Sequence, residues 1–134
     1  METKVIAVTN VKKGANRRVP RITLSGCWLN EIGFVSGKLA VAKYDHGIIS
    51  LRLEESENYR NLVRGAFKDG SGLFQIYGRT RNQKTISQIQ IYGIRLETLG
   101  FAIGRFTLVQ YEYGFIQIKL IDLDKVIDRK QLKE

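Results

Sequence analysis

The chain has 134 residues, of which 43% are hydrophobic and 26% charged, as in one compact globular domain or two small units that share a core. Its net charge of +9 at pH 7 favours an anionic partner, and nucleic acid leads among these. No apolar run approaches the length of a membrane span, so we expect no membrane partner, and one cysteine with one histidine argues against a disulfide or a metal site.

The chain opens with a short predicted strand over residues 4–10, followed by a basic segment over residues 11–21. No acidic residue lies between Glu2 and Glu31. The cations of the segment are Lys12, Lys13, Arg17, Arg18 and Arg21. Five cations without an acid to pair them indicate an anion-binding arm around a flexible Gly14, and a solvated basic loop is the alternative.

Alternation of apolar and polar residues predicts a half-buried strand over residues 21–24. A short helix is expected over residues 28–32, ending at Gly33, with Phe34 folding back onto it as the capping hydrophobe. Residues 39–44 and 48–53 then predict a hairpin closed by a turn that ends in Gly47.

Residues 56–71 predict an amphipathic helix that covers an open end or edge of the sheet. Its apolar positions recur at helical spacing: Tyr59, Leu62, Val63, Ala66 and Phe67. A strand is expected over residues 73–77, and a second basic loop without acids follows it with Arg79, Arg81 and Lys84. The last residues, 122–134, predict a weak helix of mixed charge.

The stretch over residues 20–53 recurs over residues 87–120 at a constant offset of 67 and without a gap. Ten positions are identical in the two stretches, and four of these are glycines, which indicates that backbone geometry is repeated. We therefore interpret the chain as a tandem duplication. Since half of it would bury only a marginal core, the two copies are expected to stabilise each other.

The sequence contains no arrangement that is typical of a catalytic site. There is no phosphate-binding loop or dinucleotide fingerprint, and we expect no cofactor. The only imidazole, His46, lies in a hairpin turn and is Tyr113 in the second copy, so a structural role is favoured over general base catalysis. Cys27 is Ile94 in the second copy and is interpreted as a small, semi-buried thiol.

A motif in the first copy resembles a known family. It reads Arg21-Ile22-x-Leu24-x-Gly26-x-Trp28-Leu29-x-x-x-Gly33-Phe34-x-x-Gly37, followed by a hairpin with Gly47 and Ile49. This pattern is similar to SymE-like toxins, which in turn resemble the AbrB/MazE group of swapped-hairpin barrels. The second copy keeps the glycines of the motif but lacks its tryptophan and the preceding Pro20.

The resemblance implies a mainly β protein, with an AbrB-like swapped-hairpin barrel formed as an intramolecular pseudo-dimer with short helices. Residues 1–55 and 72–134 would be the two repeats, and residues 56–71 a linker helix within one shared core. It also implies a toxin of a toxin–antitoxin system. The single cysteine favours a reducing cytoplasm, with association with the nucleoid if the protein binds DNA. Further pairing of the fused pseudo-dimer is an additional expectation.

Together, the residues and the resemblance favour binding of DNA or RNA through paired basic arms. The expected contact residues are Lys12, Lys13, Arg17, Arg18, Arg21, Arg79, Arg81 and Lys84. An endoribonuclease toxin is the first alternative, since the family is credited with RNA cleavage. An AbrB-like transcription regulator or antitoxin is the second, and a scaffold whose charge serves only solubility is the third.

Overall fold

The protein folds as two antiparallel β-sheets that face each other across one core. The computed structural model describes residues 1–54 and 71–121. Ten strands and two short helices lie within these ranges. The elements are β1 (Glu2–Ala7), β2 (Thr9–Lys12), β3 (Arg18–Ser25), α1 (Cys27–Glu31), β4 (Leu39–Asp45), β5 (Ile48–Glu54), β6 (Ser71–Gln75), β7 (Tyr77–Arg81), β8 (Lys84–Tyr92), α2 (Arg95–Thr98), β9 (Phe106–Glu112) and β10 (Phe115–Ile121).

The six-stranded sheet has the order β1-β9-β10-β5-β4-β6, and the four-stranded sheet has the order β2-β3-β8-β7. The prediction of a mainly β fold is confirmed. Both sheets are open, and neither closes into a barrel over the described residues. The barrel closure that the family resemblance implied is therefore not observed.

The strand registers reveal a pseudo-two-fold axis. Thr23 is paired with Gln90 across β3 and β8, and Ser50 is paired with Gln117 across β5 and β10. Each pair is separated by 67 residues, which is the offset between the copies, so each residue lies opposite its own counterpart. Such self-pairing occurs only on a two-fold axis. The axis therefore passes through the middle of both sheets.

The two copies exchange their first strands. Strand β1 of the first copy pairs with β9 of the second, and β6 of the second copy pairs with β4 of the first. Strands β5 and β10 join the two hairpins at the centre of the six-stranded sheet. Each copy thus completes the sheet of the other.

The core lies between the sheets because alternate residues of each strand point inward. In the four-stranded sheet, Ile22 is paired with Ile91 and Leu24 with Ile89, and all four side chains are buried. The largest fully buried side chains are Phe34, Phe101, Ile22, Leu24, Leu29, Ile49, Leu51, Ile76, Ile89, Leu96, Ile116 and Ile118. Both copies contribute to a single hydrophobic cluster.

Each short helix ends at a glycine in a left-handed backbone conformation that other residues rarely adopt. Gly33 has a φ of +92°, and the next amide, that of Phe34, donates a 2.8 Å hydrogen bond to the carbonyl of Leu29. Gly100 repeats this geometry with a φ of +95°. The hairpin turn of the other copy holds each helix end, since the Gly114 amide donates to the Ile32 carbonyl over 2.8 Å.

Two predicted helices fall mostly or wholly outside the described residues. Of the linker helix expected over residues 56–71, only Ser71 is described, and it begins β6. The helix expected over residues 122–134 lies entirely outside the described residues. In the part of the chain that the structure describes, neither helix is long and apolar enough to cross a membrane.

Candidate nucleic-acid interface

The two segments expected as basic loops are β-hairpins. The first basic hairpin comprises β2, β3 and the loop over residues 13–17, with Val11 paired to Val19 and Lys12 to Arg18. Its loop is closed by a 2.8 Å hydrogen bond from the Lys13 amide to the Arg17 carbonyl. The prediction of a loop was wrong over most of residues 11–21, because the many charged residues obscure the strand pattern that Val11 and Val19 belong to.

The second basic hairpin comprises β7, β8 and a turn of two residues between them. The turn residues Asn82 and Gln83 have φ values of +53° and +65°. Positive φ at both central positions is typical of the type I′ turns that join tightly paired strands. The two hairpins are equivalent about the pseudo-two-fold axis, with β2 and β7 at opposite edges of the four-stranded sheet.

Charge is strongly segregated between the sheets. All eight predicted contact residues lie on the four-stranded sheet or its hairpin loops, and this part of the chain, residues 9–25 and 77–92, contains no Asp or Glu. The strands of the six-stranded sheet instead carry four Lys or Arg and four Asp or Glu. The excess positive charge of these regions is therefore confined to one side of the molecule.

The predicted contact residues differ in their surroundings. Five of them lie at hairpin ends with exposed side chains, namely Lys12, Lys13, Arg17, Arg18 and Lys84. The Arg18 guanidinium donates a hydrogen bond to Asn10 Oδ1 on the neighbouring strand. Arg79 and Arg81 take backbone positions in β7 opposite Ile86 and Lys84.

Arg21 is half-buried near the middle of the four-stranded sheet, between Thr9 of β2 and Tyr92 of β8. Within the described part of the chain, its Nε is buried and has no hydrogen-bond partner. Arg21, Lys12 and Lys13 line a surface groove of about 410 Å³, which we call the basic groove. Its other side is formed by Gln90 and Tyr92. Cations from one copy thus meet polar and aromatic groups from the other.

The hairpin ends point in opposite directions because β3 and β8 are antiparallel. Arg18 lies five positions from the axial residue Thr23, and Lys84 lies six positions from Gln90. At about 3.3 Å per position, the two ends lie about 36 Å apart. The arms therefore share one sheet and occupy its two ends.

The sequence prediction missed two exposed aromatic residues on this sheet. Tyr77 and Tyr92 are 71% and 58% exposed. In the first copy, Thr9 is equivalent to Tyr77, because Thr9 pairs with Arg21 and Tyr77 pairs with Gln88, the counterpart of Arg21. Ser25 is equivalent to Tyr92, because Ser25 pairs with Gln88 and Tyr92 pairs with Arg21. A comparison of the copies position by position would have shown Tyr92 against Ser25. To match Tyr77 with Thr9, the offset between the copies must be increased from 67 to 68 residues, because the connection between equivalent strand pairs is one residue longer in the first hairpin.

The groups considered for catalysis lie elsewhere. His46 is in the turn between β4 and β5, where a Cβ added to Gly100 would lie 3.6 Å from its ring. It packs on the end of α2 as Tyr113 packs on the end of α1. Cys27 is free and exposed, so the expectation of a semi-buried thiol was wrong. Among the described residues, no three His, Cys, Asp or Glu side chains come together as metal ligands.

Comparisons with protein-family models, with curated proteins and with solved structures found no match to this chain. The similarity to SymE-like toxins therefore stands on the motif residues alone.

Proposed function

We propose that this protein binds nucleic acid on the four-stranded sheet, with the two basic hairpins contacting phosphates. The observation that carries the proposal is the segregation of charge: eight cations and no carboxylate on this sheet and its loops, against four of each on the strands of the other sheet. A requirement for solubility alone would be met by cations spread over both sheets. Concentration on one sheet creates a local positive potential that attracts a polyanion.

The spacing of the hairpins fits a helical nucleic acid. Their ends lie about 36 Å apart, which is close to one turn of B-form DNA at roughly 34–36 Å. Two-fold DNA-binding proteins place their contacts at this repeat. One sheet would then contact phosphates at two successive turns of one face of a duplex.

We also propose that the chain is a fused pseudo-dimer related to SymE-like toxins and AbrB-type proteins. The exchange of β1 and β6 between the copies supports this, as does the pairing of Thr23 with Gln90 on the axis. A role as a toxin or as a regulator follows from the resemblance.

Binding is proposed in preference to RNA cleavage. Metal-independent cleavage of RNA requires a positioned acid and base. The basic hairpins and the strands that form them contain no histidine or carboxylate. His46 packs on a helix end that belongs to the other copy.

The proposal is tested by the salt dependence of binding. Affinity for a duplex of about 20 base pairs is measured by fluorescence anisotropy at several salt concentrations, for the natural chain and for the double variant Arg17→Ala, Arg18→Ala. Each lost phosphate contact should reduce the slope of log affinity against log salt by roughly 0.9, so the double variant should lose about two units.

The matched control removes two cations from the other sheet, through Lys43→Ala with Lys119→Ala. Net charge falls equally in both variants, but only the hairpin pair should change the slope. Equal losses in the two variants would show that binding depends on overall charge and not on the hairpins. Stability should change by less than about 0.5 kcal/mol in the hairpin variant, because both arginines are exposed.

A further inference from the structure

The second copy presents two aromatic side chains to solvent that the fold does not require. Tyr77 and Tyr92 lie on the outer face of the four-stranded sheet, 71% and 58% exposed. Thr9 and Ser25 occupy the equivalent positions of the first copy within the same strand pairs. Since small residues occupy these positions in the first copy, the fold does not require aromatic rings there, and the tyrosines need another explanation.

The same two tyrosines line a cleft of about 400 Å³ that enters between the sheets as far as Tyr44 and Phe74. We call this the aromatic cleft. Its wall also includes Gly72 of β6 and the strand residues Gln88–Tyr92 of β8. A volume in this range is typical of sites for small ligands.

The first copy shows what fills the corresponding space. There the Trp28 indole lies against Tyr111, with ring centroids 4.5 Å apart, and Lys4 Nζ lies 5.4 Å from the indole centroid. On the other side of the axis, Tyr44 of the first copy takes the place of Tyr111, and Arg95 and Gly72 of the second copy take the places of Trp28 and Lys4. The pairing of Lys4 with Val109 and of Gly72 with Ala42 establishes the last correspondence.

This side of the axis therefore keeps the tyrosine but has a guanidinium in place of the indole ring. The Arg95 guanidinium lies 4.8 Å from the centroid of Tyr44, and Gly72 contributes no side chain. Tyr44 and Gly72 line the aromatic cleft, and Arg95 does not. A planar aromatic group from a ligand would enter this space beside the guanidinium and supply a ring where the first copy has its indole.

The aromatic cleft adjoins the basic groove, because Gln90 and Tyr92 line both. Lys12, Lys13 and Arg21 line the basic groove, and no Asp or Glu is among the described residues that line either space. A cationic track beside aromatic rings is the arrangement that binds single-stranded nucleic acid, in which bases are free to stack on side chains.

We propose that the second copy binds an unpaired nucleobase of a single-stranded nucleic acid in the aromatic cleft, while the basic groove holds the neighbouring phosphates. The inference rests on the proposed nucleic-acid binding and adds a strand preference to it. Tyr77 and Tyr92 stack on the base, and the side-chain amides of Gln88 and Gln90 supply hydrogen bonds to base edges. Bases stacked and paired inside a duplex do not reach this site.

The first test separates bases from phosphates. Binding of oligothymidylate, oligouridylate, an abasic strand of equal length and a duplex is measured by fluorescence anisotropy at one salt concentration. The natural chain should bind the base-containing strands at least tenfold more tightly than the abasic strand. The double variant Tyr77→Ala, Tyr92→Ala should lose about tenfold or more on base-containing strands and nothing on the abasic strand or the duplex.

Two controls accompany this variant. Tyr113→Ala removes a tyrosine that is 64% exposed but lies in a turn of the six-stranded sheet, and should leave every affinity unchanged. Tyr92→Phe keeps the ring and should retain most of the affinity that Tyr92→Ala loses.

The second test fills the cleft with the residues of the first copy. The double variant Gly72→Lys, Arg95→Trp keeps net charge constant. The lysine is tolerated sterically, since a Cβ on Gly72 meets no atom within 4 Å. Affinity for base-containing strands should fall to that for the abasic strand, with duplex binding retained.

The outcomes distinguish the two proposals. Equal affinity of the natural chain for base-containing and abasic strands, with duplex binding intact, overturns the nucleobase site and leaves the proposed function standing. Unchanged single-strand affinity in both double variants also overturns it. Absence of binding to every nucleic acid at low salt overturns both proposals.

Discussion

Replacement of Gly33 by alanine should destabilise the protein through a clash between the two copies, and the chain supplies its own control. Gly33 and Gly37 have nearly equal φ values, +92° and +93°. An alanine at either position therefore has the same conformational cost, about 1–2 kcal/mol for an L-residue in the left-handed region. Their surroundings differ. A Cβ on Gly33 would lie 2.8 Å from Leu53 Cδ1, whereas a Cβ on Gly37 meets nothing within 4 Å.

An alanine Cβ at position 33 would clash with two side chains that differ in their exposure to solvent. The Tyr113 ring would lie 2.9 Å from the added atom, and this side chain is 64% exposed, so solvent lies on one side of it. Leu53 is half-buried against the core, so its side chain has less room to move. We expect Gly33→Ala to cost about 1–2 kcal/mol more than Gly37→Ala, in the range of overpacked sites. The second copy offers the same comparison, because Leu120 lies 2.9 Å from a Cβ on Gly100 and nothing lies near one on Gly104.

Urea denaturation followed by circular dichroism measures all four variants at one protein concentration. The free energy of unfolding should fall further for Gly33→Ala and Gly100→Ala than for Gly37→Ala and Gly104→Ala, with an unchanged dependence on urea. Equal losses within about 0.5 kcal/mol in each pair would show that backbone conformation alone explains these glycines. The contact of each helix end with the other copy would then make no measurable contribution to the free energy of unfolding.

Three further outcomes are expected. His46→Ala should leave nucleic-acid affinity unchanged, because the residue packs on the end of α2 and Tyr113 has its place in the other copy; a loss of affinity with folding intact would contradict this. Burial raises the pKa of Tyr44, and the Arg95 cation opposes that rise, so Arg95→Ala should raise the pKa further in an ultraviolet titration whose assignment is checked with Tyr44→Phe. Since the neutral phenol is favoured in the folded state, its contribution to stability is complete below pH 10 and is lost as the pH rises through the raised pKa. A chain that ends at Ser71 should be unfolded or dimeric by sedimentation, because β1, β3 and β5 lose their partners from the second copy, and a stable monomer would show that the copies fold independently.

Much of the backbone was predictable from glycines and alternation. Gly33 and Gly47 have the positive φ values that the predicted helix end and hairpin turn require. The hairpin expected over residues 39–53 is observed as β4 and β5, each longer by one residue. These elements were accessible because one face of each strand is buried, which imposes a clear period on the sequence.

The basic hairpins were harder to predict because their ends extend beyond the core. Alternation weakens where both faces of a strand are exposed, as at Lys12 and Arg18. The aromatic cleft was out of reach for a different reason. It depends on Tyr44 and Gly72 lying side by side near β8, a contact between copies that no local pattern contains. The sequence thus predicted the two paired basic arms but not the cleft that lies beside them.

Covalent linkage of the two copies allows their sequences to differ. In a homodimer every substitution is made twice, so a residue on the symmetry axis must face a copy of itself, and any pocket appears in duplicate. Here Thr23 faces Gln90 on the axis, and Trp28 on one side corresponds to Arg95 on the other. A nucleic acid strand has a 5′ and a 3′ end, whereas a symmetric dimer cannot tell one direction from the other. A chain whose halves have diverged can bind such a strand in a single orientation.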